Sequence, residues 1–256
     1  MIIDAHVHLP AEGWGKNPGP LSTVADAVAY LKAAGTDAAL FNTWQGVMAE
    51  SEGDLDRANA QALELARRYR GFLYPGAVIY PAFPEASRRW LARFRDEGFP
   101  WVGELILEKC ACRYADPAFM DLFAECERHG HILQLHVHED ILAVARRFPS
   151  LKIVCSHIDA GLCPRLAAEP NVWLDISGAC GGLWIGGIEG AYRAFGPKRL
   201  LYGSDFTAYE PRCFQERLKV AVPDPAEREA IFSGNVRRLV PLPGLADGSA
   251  AMGTVL

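Results

Sequence analysis

The chain has 256 residues, half of them apolar and 22% charged, with a formal net charge of -5. That is material for one large core and the size of a single α/β barrel, which runs to about 250 residues. A negative balance with no run of Lys or Arg argues against an extended nucleic-acid surface, and no stretch approaches the roughly 18 apolar residues of a membrane span.

With no basic, then apolar leader at the N-terminus, a soluble, cytoplasmic protein is expected, with neither nucleic acid nor membrane among its partners. Seven cysteines, at 110, 112, 126, 155, 163, 180 and 213, are too scattered for a disulfide framework and are expected as reduced thiols. Cys110-Ala-Cys112 is a lone C-x-C, a weak metal signal without a second pair.

In chain order, residues 1–7 are apolar apart from Asp4 and His6 and read as a buried strand, ended by Pro10 and the Gly/Pro-rich stretch to Pro20. Ser22 is the predicted cap of a helix with Val24, Val28 and Leu31 on one face, stopped by Gly35. Further strands are predicted over 37–42, 73–79, 101–107, 132–137, 152–156, 172–176 and 199–203, which makes eight. Helices are predicted between them over 54–70, 85–96, 140–147 and 188–195, with cap-then-proline starts at Asp116-Pro117 and Asp224-Pro225. Eight β-then-α units predict a (β/α)8 barrel over 1–240, followed by an irregular tail over 241–256. An open doubly wound sheet would want a Gly-rich phosphate loop after an early strand, and the sequence has none.

Side chains two apart on a strand share a face, so His6 and His8 in IDAHVHL point the same way. LQLHVHE carries His136 and His138, VCSHIDAG carries His157, and LLYGSDF carries Asp205. His6, His136, His157 and Asp205 each fall at or just past the C-terminal end of a predicted strand, the face where such barrels build their sites. Imidazole nitrogen and carboxylate oxygen suit zinc and similar ions, and a catalytic site combines about three such ligands with an open position. His6, His8, His136 and Asp205 supply that set, so a metal-dependent enzyme is expected. An inward Glu104 on the fourth strand would be metal-bound, paired with an arginine, or protonated, because a lone buried carboxylate is costly.

Other candidates are less specific. His138 is expected to line the mouth, and His129 and His131 to lie on the bottom face. Asp159 and Asp175 are candidates to orient ligand histidines. Trp14, Trp44, Trp184, Phe206 and Tyr209 could wall a pocket for a small ring compound, and Arg113, Arg165 and Arg212 could clamp a substrate carboxylate.

As an ordered series, IDAHVHL, VGEL, LQLHVHE, KIVCSHID, NVWLDISG, RLLYGSDF and IFSGNVRRLV resemble the metal-dependent hydrolases of the amidohydrolase superfamily. The branch resembled is the one that includes aminocarboxymuconate-semialdehyde decarboxylase, and the resemblance spans residues 1–240. It implies His6 and His8 as metal ligands from strand one, His136 from strand five and Asp205 from strand eight. His157 matches the strand-six histidine, which polarises substrate or acts as acid/base in one-metal members and binds the second ion in two-metal members. Glu104 stands where two-metal members carry a bridging glutamate or carboxylated lysine, whereas Lys109 lies past the strand on the opposite parity.

The implied cofactor is one or two divalent ions, zinc foremost, with manganese, iron or nickel as alternatives. The implied reaction is hydrolysis of an amide, lactone or ester of a small-molecule substrate, through a water whose pKa the ion lowers from 15.7 to about 7. Asp205 and His157 would be catalytic, Asp205 taking a proton and returning it to the leaving group. The alternative is non-oxidative decarboxylation or hydration of an aromatic or muconate-like acid. A deoxyribonuclease would want a positive surface, and a non-catalytic barrel would have lost its ligands.

Overall fold

The computed structural model describes residues 1–107 and 112–245; Lys109, Cys110 and residues 246–256 of the expected tail lie outside the described residues. Among the described residues eight parallel strands form the ring: β1 Ile3–Leu9, β2 Ala38–Thr43, β3 Leu73–Pro75, β4 Trp101–Leu105, β5 Ile132–His136, β6 Lys152–Ser156, β7 Val172–Asp175 and β8 Leu200–Leu201. They pair as β1-β2-β3 and as β4-β5-β6-β7-β8. Parallel bridges from Val7 to Phe206 and from Ala77 to Val102 close the two seams. The seams also carry backbone bonds, Ala5 N–H to Tyr202 O at 2.9 Å and Gly103 N–H to Ala77 O at 2.8 Å. This is the barrel expected from alternating apolar runs and helices.

The helices are α1 Val24–Ala33, α2 Trp44–Val47, α3 Glu52–Arg68, α4 Pro84–Asp96, α5 Pro117–His129, α6 Ile141–Arg147, α7 Cys163–Ala167, α8 Gly178–Gly182, α9 Gly187–Phe195, α10 Pro211–Ala221, α11 Pro225–Glu229 and α12 Asn235–Leu239. None is long and apolar enough to cross a membrane among the described residues.

Two strands are much shorter than predicted, 73–79 shrinking to Leu73–Pro75 and 199–203 to Leu200–Leu201, while 101–107, 132–137 and 172–176 each end one or two residues early. Residues 76–79, 202 and 203 stay buried, but Ala77 pairs only through its isolated bridge to Val102, and Tyr202 N–H reaches Ile231 O at 3.0 Å. An apolar run therefore reports burial, not ladder pairing. The cap of α1 is Thr23 and not Ser22: Thr23 Oγ1 accepts Asp26 N–H at 3.1 Å and donates to the Asp26 carboxylate at 2.7 Å, leaving the first turn reciprocally bonded. Thr23→Ala should cost about 1 kcal/mol and Ser22→Ala almost nothing, read as urea midpoints. The opposite ranking would return the cap to Ser22.

Two apolar clusters sort the strand residues by side. Ile3, Ala5, Leu40, Trp101, Ile132 and Val154 pack inside the ring, with Val236 and Leu239 of α12 against them. Val7, Leu9, Phe41, Val102, Leu105 and Ile153 belong to the cluster that holds the helix residues Val28, Leu63, Phe94 and Phe119. Strict alternation from Ile3 and Trp101 would turn His6, His8 and Glu104 outward. Register irregularities between Asp4 and Val7 and between Val102 and Leu105 reverse that parity and bring all three to the interior. Gly103 makes the second reversal possible: its φ is 109°, and a Cβ there would lie 2.1 Å from Gln134 O.

Candidate metal centre

Six side chains from the ends of five strands meet at the mouth of the ring. Glu104, 1% exposed, lies between two pairs of imidazoles. Its Oε2 is 3.4 Å from His6 Nε2 and 3.3 Å from His8 Nε2; its Oε1 is 3.0 Å from His136 Nδ1 and 3.3 Å from His157 Nε2. Asp205 Oδ1 lies 3.5 Å from His8 Nε2 and 3.7 Å from His6 Nε2. Two sets of donor atoms fall within 4.8 Å of one another: His6, Glu104 and His157, and His6, His8 and Asp205. His136 joins them through its contact with Glu104.

The donor set fits a divalent cation. His6 and His8 bring Nε2 atoms to 3.1 Å of each other, a separation at which two bare lone pairs repel unless a proton or a cation lies between them. Glu104 and Asp205 face the same nitrogens, so negative charge converges where a dication would neutralise it. This His/Glu/Asp cluster is a divalent-metal-binding site, and nitrogen and oxygen donors of this kind suit zinc, manganese, iron and nickel alike.

Electrostatics follow from the burial. Desolvation would raise the Glu104 carboxyl, but the charge on His6 and hydrogen bonds from His136 and His157 hold it well below the usual carboxylate range. Desolvation would lower His6, but Glu104 and Asp175 hold it well above the usual imidazole value. Burial would likewise lower His157, and its bond to Glu104 raises it instead. For Asp175, burial is outweighed by His6, which brings the carboxyl down to about 2.

The backbone is also shaped around this cluster. His157 has φ 67° and Asp205 φ 60°, the left-handed region that non-glycine residues seldom adopt. Such conformations cost about 1–3 kcal/mol each and persist where the surroundings hold them. Here Asp205 N–H donates to His6 O at 2.9 Å, and His157 N–H donates to Asp175 Oδ1 at 3.2 Å.

Of the two aspartates proposed to orient histidines, only Asp175 does so. It accepts from His6 Nδ1 and from Gln134 Nε2, each at 3.0 Å. Asp159 caps the turn that follows it, accepting from the Gly161 and Leu162 N–H groups at 2.8 Å. Three supporting residues were not foreseen. Asn42 Oδ1 accepts Glu104 N–H at 2.5 Å, and Asp4 accepts Ser204 N–H at 3.0 Å and His6 N–H at 3.2 Å, tying β1 to the turn that carries Asp205. Ser177 reaches two histidines. Asn42 and Asp4 did carry a signal, since a polar residue within a buried apolar run must find a partner.

The remaining candidates divide. The Trp44 ring lies 4.6 Å from the His8 ring, and its Nε1 donates to Thr207 Oγ1 at 2.9 Å. Phe206 is buried against Tyr30, Tyr209 packs on Phe214, Trp14 is half-buried, and Trp184 is exposed. Arg113 is engaged by Asp140, Arg212 by Glu210, and Arg165 is exposed. His138 Nδ1 accepts Asp140 N–H at 3.1 Å, outside the two donor sets, and His131 bonds Pro100 O at the start of β5. Of the described cysteines, Cys126, Cys155, Cys163, Cys180 and Cys213 are free thiols.

Solved structures share this architecture. A 5-carboxyvanillate decarboxylase from Sphingomonas paucimobilis is 15% identical, with 94% of this chain and 99% of that one covered at a TM-score of 0.73. A dihydroxybenzoic acid decarboxylase from a Polaromonas species, solved with manganese and the inhibitor 2-nitroresorcinol, is 15% identical over 93% and 96% at 0.72. An amidohydrolase from Burkholderia multivorans is 21% identical over 95% and 100% at 0.74. No curated protein sequence matches the chain. A family model described as Amidohydrolase matches residues 3–242, the entire ring with its metal-binding cluster, and the chain therefore belongs to this family of metal-dependent enzymes.

Proposed function

We propose that the chain is a metal-dependent, non-oxidative decarboxylase of a small aromatic carboxylic acid. In this reading His6, His8, Glu104, His136, His157 and Asp205 hold one or two divalent ions, zinc or manganese foremost, and Asp205 and His157 also face the substrate. The observation that carries it is the aromatic ring packed on the cluster: Trp44, fixed through Thr207, lies 4.6 Å from the His8 ring. Two of the compared structures are decarboxylases of ring acids, which supports the same substrate class.

A bound divalent ion supplies Lewis acidity to a substrate oxygen. The chain's own residues orient the acid and move one proton. Loss of CO2 breaks the bond between ring and carboxylate carbon and leaves an electron pair on the ring. The Asp205 carboxyl delivers a proton to that carbon and regains one from solvent, to which it is 13% exposed. His157, 15% exposed on the far side of Glu104, orients the substrate's oxygens.

Hydrolysis is the second reading, favoured by the position of Glu104 between two imidazole pairs, which suits a two-ion site. Hydroxylated benzoic acids, incubated in D2O with zinc- or manganese-loaded protein, are expected to release CO2 and to carry deuterium at the vacated ring carbon. Turnover of lactones or esters with no CO2 from any acid would move the assignment to hydrolysis.

A further inference from the structure

We infer that Ser177 is a positioning residue that sets the ring orientation and tautomer of His6 and His157, and thereby the affinity of the cluster for its ion. The inference rests on the metal reading above and extends it to a residue outside the proposed ligands.

Ser177 is fully buried and stands at the N-cap of α8, where a serine normally accepts a backbone N–H of its own helix. It makes no such bond. Its hydroxyl turns instead to the cluster, with Oγ 2.9 Å from His6 Nδ1, 2.9 Å from His157 Nδ1 and in close contact with Asp175 Oδ1.

A hydroxyl has one proton and two lone pairs. Ionised Asp175 is acceptor-only, so the Ser177 proton goes to it, and both lone pairs are left for the imidazoles. Each ring must then donate from Nδ1. A neutral imidazole protonated at Nδ1 presents a bare Nε2, the form that binds a metal. Both Nε2 atoms do face Glu104, at 3.4 Å for His6 and 3.3 Å for His157. His6 has a second anchor in Asp175 Oδ2, so His157 depends on Ser177 the more. The ring is seated hard against this turn: a Cβ on Gly178, whose φ is +74°, would lie 2.5 Å from His157 Nδ1.

The test is zinc affinity of the full chain, measured by competition with a chromophoric chelator for wild type, Ser177→Ala and Ser177→Thr, alongside the melting temperature of each metal-free protein. Ser177→Ala is expected to bind zinc about 10- to 100-fold more weakly, with a metal-free melting temperature lowered by only a few degrees, the share of one lost buried hydrogen bond. Ser177→Thr, which keeps the hydroxyl, is expected to restore affinity close to wild type. Wild-type affinity in Ser177→Ala, or an equal loss in both variants, would overturn the role of the hydroxyl while leaving the metal site in place. Absence of zinc binding by the wild type would overturn the metal reading itself.

Discussion

Asp205→Asn is expected to yield a folded protein whose turnover of a decarboxylation substrate falls about a hundred- to ten-thousand-fold. The fold should survive because Asn tolerates left-handed backbone as Asp does. The turn is also held by main-chain bonds: Asp205 N–H donates to His6 O, and Asp205 O accepts from Ala208 N–H at 3.0 Å. What the amide cannot do is deliver and regain a proton. Metal content per chain, measured on the same samples, separates loss of the ion from loss of the proton carrier. Undiminished turnover with full metal content would remove Asp205 from the proton path.

Glu104→Gln is expected to have the largest effect on stability, because it keeps the shape and deletes the charge at the centre of four imidazoles. Removing one partner of a buried ionic pair costs about 3–5 kcal/mol, most of it the penalty on the charge left behind. The pH dependence has a definite sign. The Glu104 pKa is depressed in the fold, so its contribution is present above its ordinary value of 4.5 and is lost as pH falls through the folded value. The His6 pKa is raised, so its contribution is fully present below 6.5 and is lost as pH rises through the folded value.

The difference between wild type and Glu104→Gln, from urea unfolding of metal-free protein, should therefore be greatest between about pH 4.5 and 6.5 and shrink on both sides. A difference that is flat with pH would mean that the pair is not ionic. In the holoprotein the same change should lower metal uptake, since it removes the carboxylate that both imidazole pairs share.

Much of the site could be read from residue order. His6 and His8 share a face because they are two apart, and His136, His157 and Asp205 follow apolar runs whose ends define one rim of a barrel. Glu104 was ambiguous for a physical reason. Alternation is a local rule, and a bulge reverses it only through pairing with neighbouring strands, here where Gly103 meets Gln134 O. Choosing between Asp159 and Asp175 needed distance too, because Asp175 bonds His6, which lies 169 residues away in sequence.

By itself, the sequence determined the barrel, the order in which the candidate ligands arrive and the rim on which they gather, since each follows from periodicity and chain direction. Tertiary structure alone decided that Glu104 turns inward, that Asn42, Asp4, Asp175 and Ser177 hold the cluster, and that Arg113 and Arg212 are tied to the chain's own carboxylates. Those outcomes depend on which polar atoms come within about 3 Å of one another across the ring, where each buried group must find a partner.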